Sequence, residues 1–90
     1  MIYTQFLVSG KVQGVGFRYY TRNAAKEFNI VGYARNTSDG KVKIIAGGSD
    51  KDIEQFTESI RQGPTFSQVS KLEIKKVETF RQYKTFKIKY

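Results

Sequence analysis

Two stretches carry residue types whose spacing could do chemistry. In KVQGVGFRYY, residues 11–20, two glycines stand one residue apart and are followed by an arginine and two tyrosines; in GYARNT, residues 32–37, Asn36 follows an arginine. Glycine lets a backbone curl close to an anion. A helix starting just behind such a loop adds amide donors and the positive end of its dipole. The backbone amides of Gln13, Gly14, Val15, Gly16, Phe17 and Arg18 are therefore candidate phosphate ligands. The Arg18 guanidinium, in the first helical turn, can hold two phosphate oxygens at once. Lys11 and Arg35 deepen the positive field, although charges on a basic surface are ordinarily only solvated. The Asn36 carboxamide accepts one hydrogen bond while donating another, so it can fix the orientation of a water molecule.

Other readings of the glycine stretch are weaker. Glycines after a strand often serve only as turn punctuation. QGVGFRYY partly resembles the aromatic signature of the RNA-recognition module, but that signature belongs on a third strand, and the third strand here, KVKIIAGG, has no aromatic residue. The nucleotide cradle GxxxxGK[ST] is broken by Val15, and the dinucleotide pattern GxGxxG by Tyr19.

The residues that are missing restrict the reaction. The chain has no cysteine and no histidine, which removes thiolate nucleophiles, disulfides and the commonest general base and metal ligand. Asp50-Lys51-Asp52 is only superficially like an acidic metal motif, because acids at a helix start are ordinary capping residues; Asp39 reads as a turn former. No cluster of metal ligands and no cofactor motif is present, so the expected cofactor is none. What remains is a set of donors that can stabilise a phosphoryl group in flight and place a water in line with it. Such a site gives little help to a poor leaving group. A carboxylate departing from an acyl phosphate needs none, since its conjugate acid has a pKa of about 4. The inventory favours the mixed anhydride of a carboxylic and phosphoric acid. No acyl pocket can be read from the sequence: Tyr19, Tyr20 and Tyr33 suit core or rim equally.

These groups need elements to hold them. Ninety residues suffice for one two-layer core and not for two, so a single domain over 1–90 is expected. With 39% hydrophobic and 27% charged residues the composition is globular. No apolar run approaches the ~20 residues of a membrane helix, and MIYTQFLVSGK lacks the form of a secretory signal; a cytoplasmic protein is the expectation. The formal charge of +8 would draw an anionic partner of some kind.

Alternation over residues 2–9 predicts a strand. A period of three to four through Phe17, Tyr20, Ala24 and Phe28 predicts a helix that Asn29 closes in the left-handed region. Residues 32–37 read as a second strand, Ser38-Asp39-Gly40 as a turn, and Val42, Ile44 and Ala46 as one face of a third strand. Ser49 with Asp52 marks the start of a second helix buried through Ile53, Phe56 and Ile60 and ended by Gly63-Pro64. Alternation over 69–77 and again over 86–90 predicts strands with one wet face. The order is βαββαβ, with a possible short extra strand from a split of the C-terminal part. This is an α+β, ferredoxin-like two-layer sandwich with two helices on one face of an antiparallel sheet. In that topology the first and second strands run parallel with the third between them. The glycine loop and Asn36 then open on one edge, roughly 10 Å apart.

KVQGVGFR at 11–18 and GYARNTSDGKVKIIAGG at 32–48 resemble the two signature stretches of the acylphosphatases, small enzymes of this fold that hydrolyse the carboxyl–phosphate bond. The similarity continues through Gly63-Pro64, Val69 and the closing FKIKY; Asn29 departs from it, standing where many members have glycine. The resemblance implies that Arg18 binds the phosphate, that Asn36 positions the catalytic water and that amides of residues 13–18 form the cradle. It also implies a monomeric, cytoplasmic enzyme working on a small acyl phosphate without metal, membrane or nucleic-acid partner. The competing reading is a binding module of the same fold for nucleic acid or an acidic protein, using lysines such as Lys75, Lys84, Lys87 and Lys89. A relative that binds an acyl phosphate without hydrolysing it is a third.

Overall fold

The chain alternates between side chains that must leave water and side chains that must stay in it, and its layers arise from that. In the computed structural model, which describes residues 2–78 and 81–90, β1 spans Ile2–Lys11 and buries Thr4, Phe6 and Val8 on one side. α1 is Phe17–Glu27, β2 Val31–Asn36, β3 Val42–Gly48, α2 Asp50–Gln62, β4 Gln68–Val77 and β5 Phe86–Lys89. The strands form one sheet in the order β4-β1-β3-β2-β5. β1 runs antiparallel to β3, with Phe6 opposite Ile44, and to β4, with Phe6 opposite Ile74. β2 runs antiparallel to β3, with Ala34 opposite Ile44. Thus β1 and β2 are parallel across β3, as the sequence predicts.

The sheet itself departs from the all-antiparallel expectation. β5 pairs parallel with β2, Ala34 standing opposite Ile88, so the sheet is mixed and the split of the C-terminal part is real. β1 also runs two residues beyond the predicted end at Ser9. β4 continues alongside it after a register shift at Ser9/Gly10, pairing Gly10 with Val69 and Lys11 with Gln68. A bulge of this kind bends a strand and re-aims the next segment, here the glycine loop.

Both helices cover the same sheet face. α1 lies over β2 and β5, and α2 over β3 and β4. Phe6, Phe17, Phe56, Ile44 and Ile60 are fully buried between the layers, with the rings of Phe6 and Phe56 edge to face at 5.7 Å. Each such burial stabilises by about 1.5–3 kcal/mol before the cost of ordering is counted. On α1, Thr21 takes a core position beside Phe17, Ala24 and Ala25, and its hydroxyl donates to the Phe17 carbonyl four residues back at 2.8 Å. Asn29 adopts φ 57°, the left-handed closure expected of it.

The two helix starts differ. At α2, Ser49 Oγ accepts from the amide of Asp52 at 3.1 Å, and Asp50 and Asp52 occupy the first turn against the dipole. The acidic pair is therefore capping. At α1 the N-cap is Gly16, no side chain of the described residues caps the helix, and its first turn carries no acid.

Candidate active site

A helix amino terminus leaves its first amides without intrahelical partners. At α1 the sequence supplies no side chain to take them, and the approach to the helix is built to expose them. Gly14 and Gly16 lie at φ 74° and 78°, where a residue with a Cβ is disfavoured. A Cβ at either position would meet no atom of the described residues within 4 Å, so here glycine is required by backbone conformation and not by crowding. The space beside them is a pocket of about 180 Å³ whose lining includes Gly14, Gly16, Phe17, Arg18, Tyr19 and Asn36. Arg18 and Asn36 therefore open on one cavity.

β5 completes that cavity, with Ile88 and Tyr90 on its wall. Arg18 is held from this side: Nη1 donates to the Lys89 carbonyl at 2.9 Å, and the guanidinium carbon lies 4.7 Å from the centroid of the Tyr90 ring. One of five donors is thus spent on orientation, and among the described residues no carboxylate pairs with the planar group to neutralise its charge. The Asn36 side chain, at the last position of β2, makes no hydrogen bond among the described residues, which leaves its amide and carbonyl for a ligand or a water.

The glycine loop is fastened to the turn after Asn36 by a side chain. Gln13 Nε2 donates to the carbonyls of Thr37 at 2.8 Å and Lys41 at 2.9 Å, using both amide hydrogens. The turn is closed by Thr37 N–H donating to the Lys41 carbonyl at 2.9 Å, and the Thr37 hydroxyl donates to the Asp39 carboxylate. That hydroxyl, with the nearby Lys41 ammonium adding to it, holds the Asp39 carboxyl below its ordinary value of 3.8. A depressed folded value means that the contribution is complete above the unfolded pKa and is lost as pH falls through the folded one, so the turn keeps it at neutral pH. Replacing Gln13 with leucine removes two hydrogen bonds, although each carbonyl keeps a backbone donor, Gly40 N–H on Thr37 and Thr37 N–H on Lys41. A loss of about 1–3 kcal/mol is expected, read as a lower urea midpoint at an unchanged slope.

Of the predicted cradle residues, Gly14, Gly16, Phe17 and Arg18 line the pocket with Asn36. Gln13 and Val15 do not: Gln13 turns to the β2–β3 turn, and Val15 packs against the core. Lys11 and Arg35 also lie outside the lining. The tyrosines separate into three environments. Tyr19 is 58% exposed at the pocket mouth. Tyr20 donates its hydroxyl to the Ser59 carbonyl at 2.8 Å and ties α1 to α2; burial, and to a lesser degree the charge of Glu27, raises its pKa, so the phenol stays a donor. Tyr33 is buried on the far sheet face under the Lys89 ammonium, 4.1 Å from its centroid. Sequence reasoning misses the Gln13 side chain and the clamp of Lys89 and Tyr90 on Arg18. The first has a local signal, a long amide beside a glycine turn, whereas the second depends on the placement of β5. Among the described residues no group of three or more acidic, histidine or cysteine side chains gathers where it could hold a metal.

The family model described as acylphosphatase matches residues 4–88. An acylphosphatase of Archaeoglobus fulgidus is 42% identical over 90 residues, covering the whole of both chains, and one of Oceanobacillus iheyensis is 45% identical over 84 residues, 92% of each. The crystal structure of an acylphosphatase from Bacillus subtilis superposes with a TM-score of 0.95 at 32% identity over the full length of both chains. The binding-module reading finds no support in these matches, and β3 offers no aromatic for base stacking. From its motifs, its fold and its relatives together, the chain belongs to the acylphosphatase family.

Proposed function

We propose that this enzyme hydrolyses the carboxyl–phosphate bond of small acyl phosphates, with the phosphoryl group held by Arg18 and main-chain amides of the 13–18 loop and the attacking water held by Asn36. One observation carries the assignment of roles: an uncapped, acid-free helix start, two left-handed glycines, Arg18 and Asn36 all open on the same cavity. Positive charge and directed amides stabilise the phosphoryl oxygens as charge redistributes over them. The Asn36 carbonyl accepts a hydrogen bond from the water and its N–H₂ donates one to the water oxygen, aiming the remaining lone pair at phosphorus. The new O–P bond forms opposite the acyl oxygen, the old P–O bond breaks, and the electron pair leaves with the carboxylate. The water protons pass to phosphate and solvent. No general acid is required, because the departing group is the conjugate base of an acid of pKa about 4. This agrees with a pocket into which the described residues bring no acidic side chain, and with a sequence without histidine.

Benzoyl or acetyl phosphate in excess chelator supplies the test. Steady turnover is expected, with one inorganic phosphate per carboxylate, and reaction in heavy-oxygen water is expected to place the label in phosphate. Absence of turnover defeats the proposal, and label in the carboxylate defeats attack at phosphorus. Independence from metal and cofactor is part of the same proposal, as is a monomeric cytoplasmic enzyme of one domain over 1–90. In support of the location, no helix among the described residues is long and apolar enough to cross a membrane.

A further inference from the structure

Beside the phosphate pocket lies a larger cleft of about 650 Å³ between α1 and the segment leading into β5. Tyr19 belongs to the lining of both. The floor of the cleft includes Ile30 and Phe86, and its rim carries Arg22, Lys26 and Lys84, with no carboxylate in the lining among the described residues. Among the described residues none of these three cations is in an ion pair. Arg22 lies with its guanidinium carbon 4.9 Å from the Tyr19 ring centroid, so the ring at the shared wall fixes its position without cancelling its charge.

The spacing along α1 connects the two cavities. Arg18 and Arg22 are four residues apart, which sets them on one side of the helix with a rise of about 6 Å between them. In an extended four-carbon diacid monophosphate, phosphorus and the distal carboxylate carbon are separated by five bonds, roughly 6 Å. A phosphoryl group at the Arg18 end therefore places such a carboxylate near Arg22, with its methylene groups passing Tyr19.

We propose that the cleft is an acyl-group subsite that favours acyl phosphates of short dicarboxylic acids, and that Arg22 is the side chain that reads the distal carboxylate. The inference rests on the hydrolytic role of the neighbouring pocket. The subsite acts on discrimination and not on the chemical step, because Arg22 lies a full turn away from the group holding the phosphate. Its contribution is that of an exposed charge pair and weakens with salt.

The test compares kcat/KM for succinyl phosphate and butyryl phosphate, which share a carbon count and differ in the distal carboxylate. At low ionic strength the wild-type enzyme is expected to favour succinyl phosphate about fivefold, and Arg22→Gln to bring the ratio close to one. Lys75→Gln, which removes the same charge from β4 at a site outside the cleft, is expected to leave the ratio as it was. A wild-type ratio of one or less overturns the subsite while turnover of butyryl phosphate leaves the hydrolase reading standing. A ratio unchanged in Arg22→Gln, or lowered equally in Lys75→Gln, also overturns it, because the preference would then belong to the overall charge. Failure to hydrolyse either substrate removes the hydrolase reading and the subsite with it.

Discussion

Arg18→Ala is expected to lower kcat/KM for benzoyl phosphate by at least about a hundredfold, roughly 3 kcal/mol of transition-state stabilisation. The loss should appear in both parameters. In the proposed role the guanidinium contacts the phosphoryl oxygens in the ground state, so KM should rise; charge and geometry change during transfer, so kcat should fall as well. Inorganic phosphate should lose affinity as a competitive inhibitor in parallel. Arg18→Lys keeps the charge but lacks the planar fork, and it cannot reproduce a hydrogen bond to the Lys89 carbonyl together with two bonds to phosphate. An intermediate activity is expected. Because Arg18 also links α1 to β5, the urea midpoint of each variant must be measured beside its kinetics. An Arg18→Ala variant that folds and turns over at the wild-type rate ends the proposed role.

Asn36→Ala should act differently. Its carboxamide has no hydrogen-bond partner to lose among the described residues, so stability is expected to stay within about 0.5 kcal/mol of wild type. The proposed contact is to water and not to the phosphate of the bound substrate. A fall in kcat of about a hundredfold is expected, with KM nearly unchanged. Asn36→Asp tests the donor half of the carboxamide: a carboxylate there still accepts a hydrogen bond but cannot donate one, and it repels the phosphoryl oxygens, so it should rescue nothing. Unaltered kcat in Asn36→Ala would remove the residue from the reaction. A large rise in KM alone would move it from water to phosphate binding.

The contrast between these two variants and Gln13→Leu separates chemistry from scaffolding. Gln13 lies within the predicted cradle segment, yet its side chain bonds to Thr37 and Lys41 and not to the pocket. Its loss is first a loss of stability, and any kinetic change comes through the relative position of the loop and Asn36. Displacements of about 1 Å in such a pair can cost much of the rate.

Much of this protein is determined by the chain read along its length. The change from a two-residue to a three-to-four-residue period at Phe17, the Ser49 cap, the left-handed turn at Asn29 and the stop at Gly63 all come from backbone and side-chain preferences that act over a few neighbours. So does the restriction on chemistry, since the chain lacks histidine and cysteine and its one acidic pair, Asp50 and Asp52, starts a helix, while Asp39 sits in a turn, so that the two signature stretches contribute donors to the site. The juxtaposition of the loop with Asn36 is also legible, because the topology allows β1 and β2 only one relation across β3.

The tertiary structure alone decided what stands beside those residues. β5 pairs parallel with β2 and brings the Lys89 carbonyl and the Tyr90 ring to Arg18 across 71 residues of chain. Tyr19, Tyr20 and Tyr33, which look interchangeable in sequence, become a pocket rim, an interhelix tie and a buried ring on the opposite face. The reason is physical: local periodicity tells each residue which side of its own element it occupies. The partner it meets there depends on how all the elements pack at once, and no neighbour in sequence carries that information.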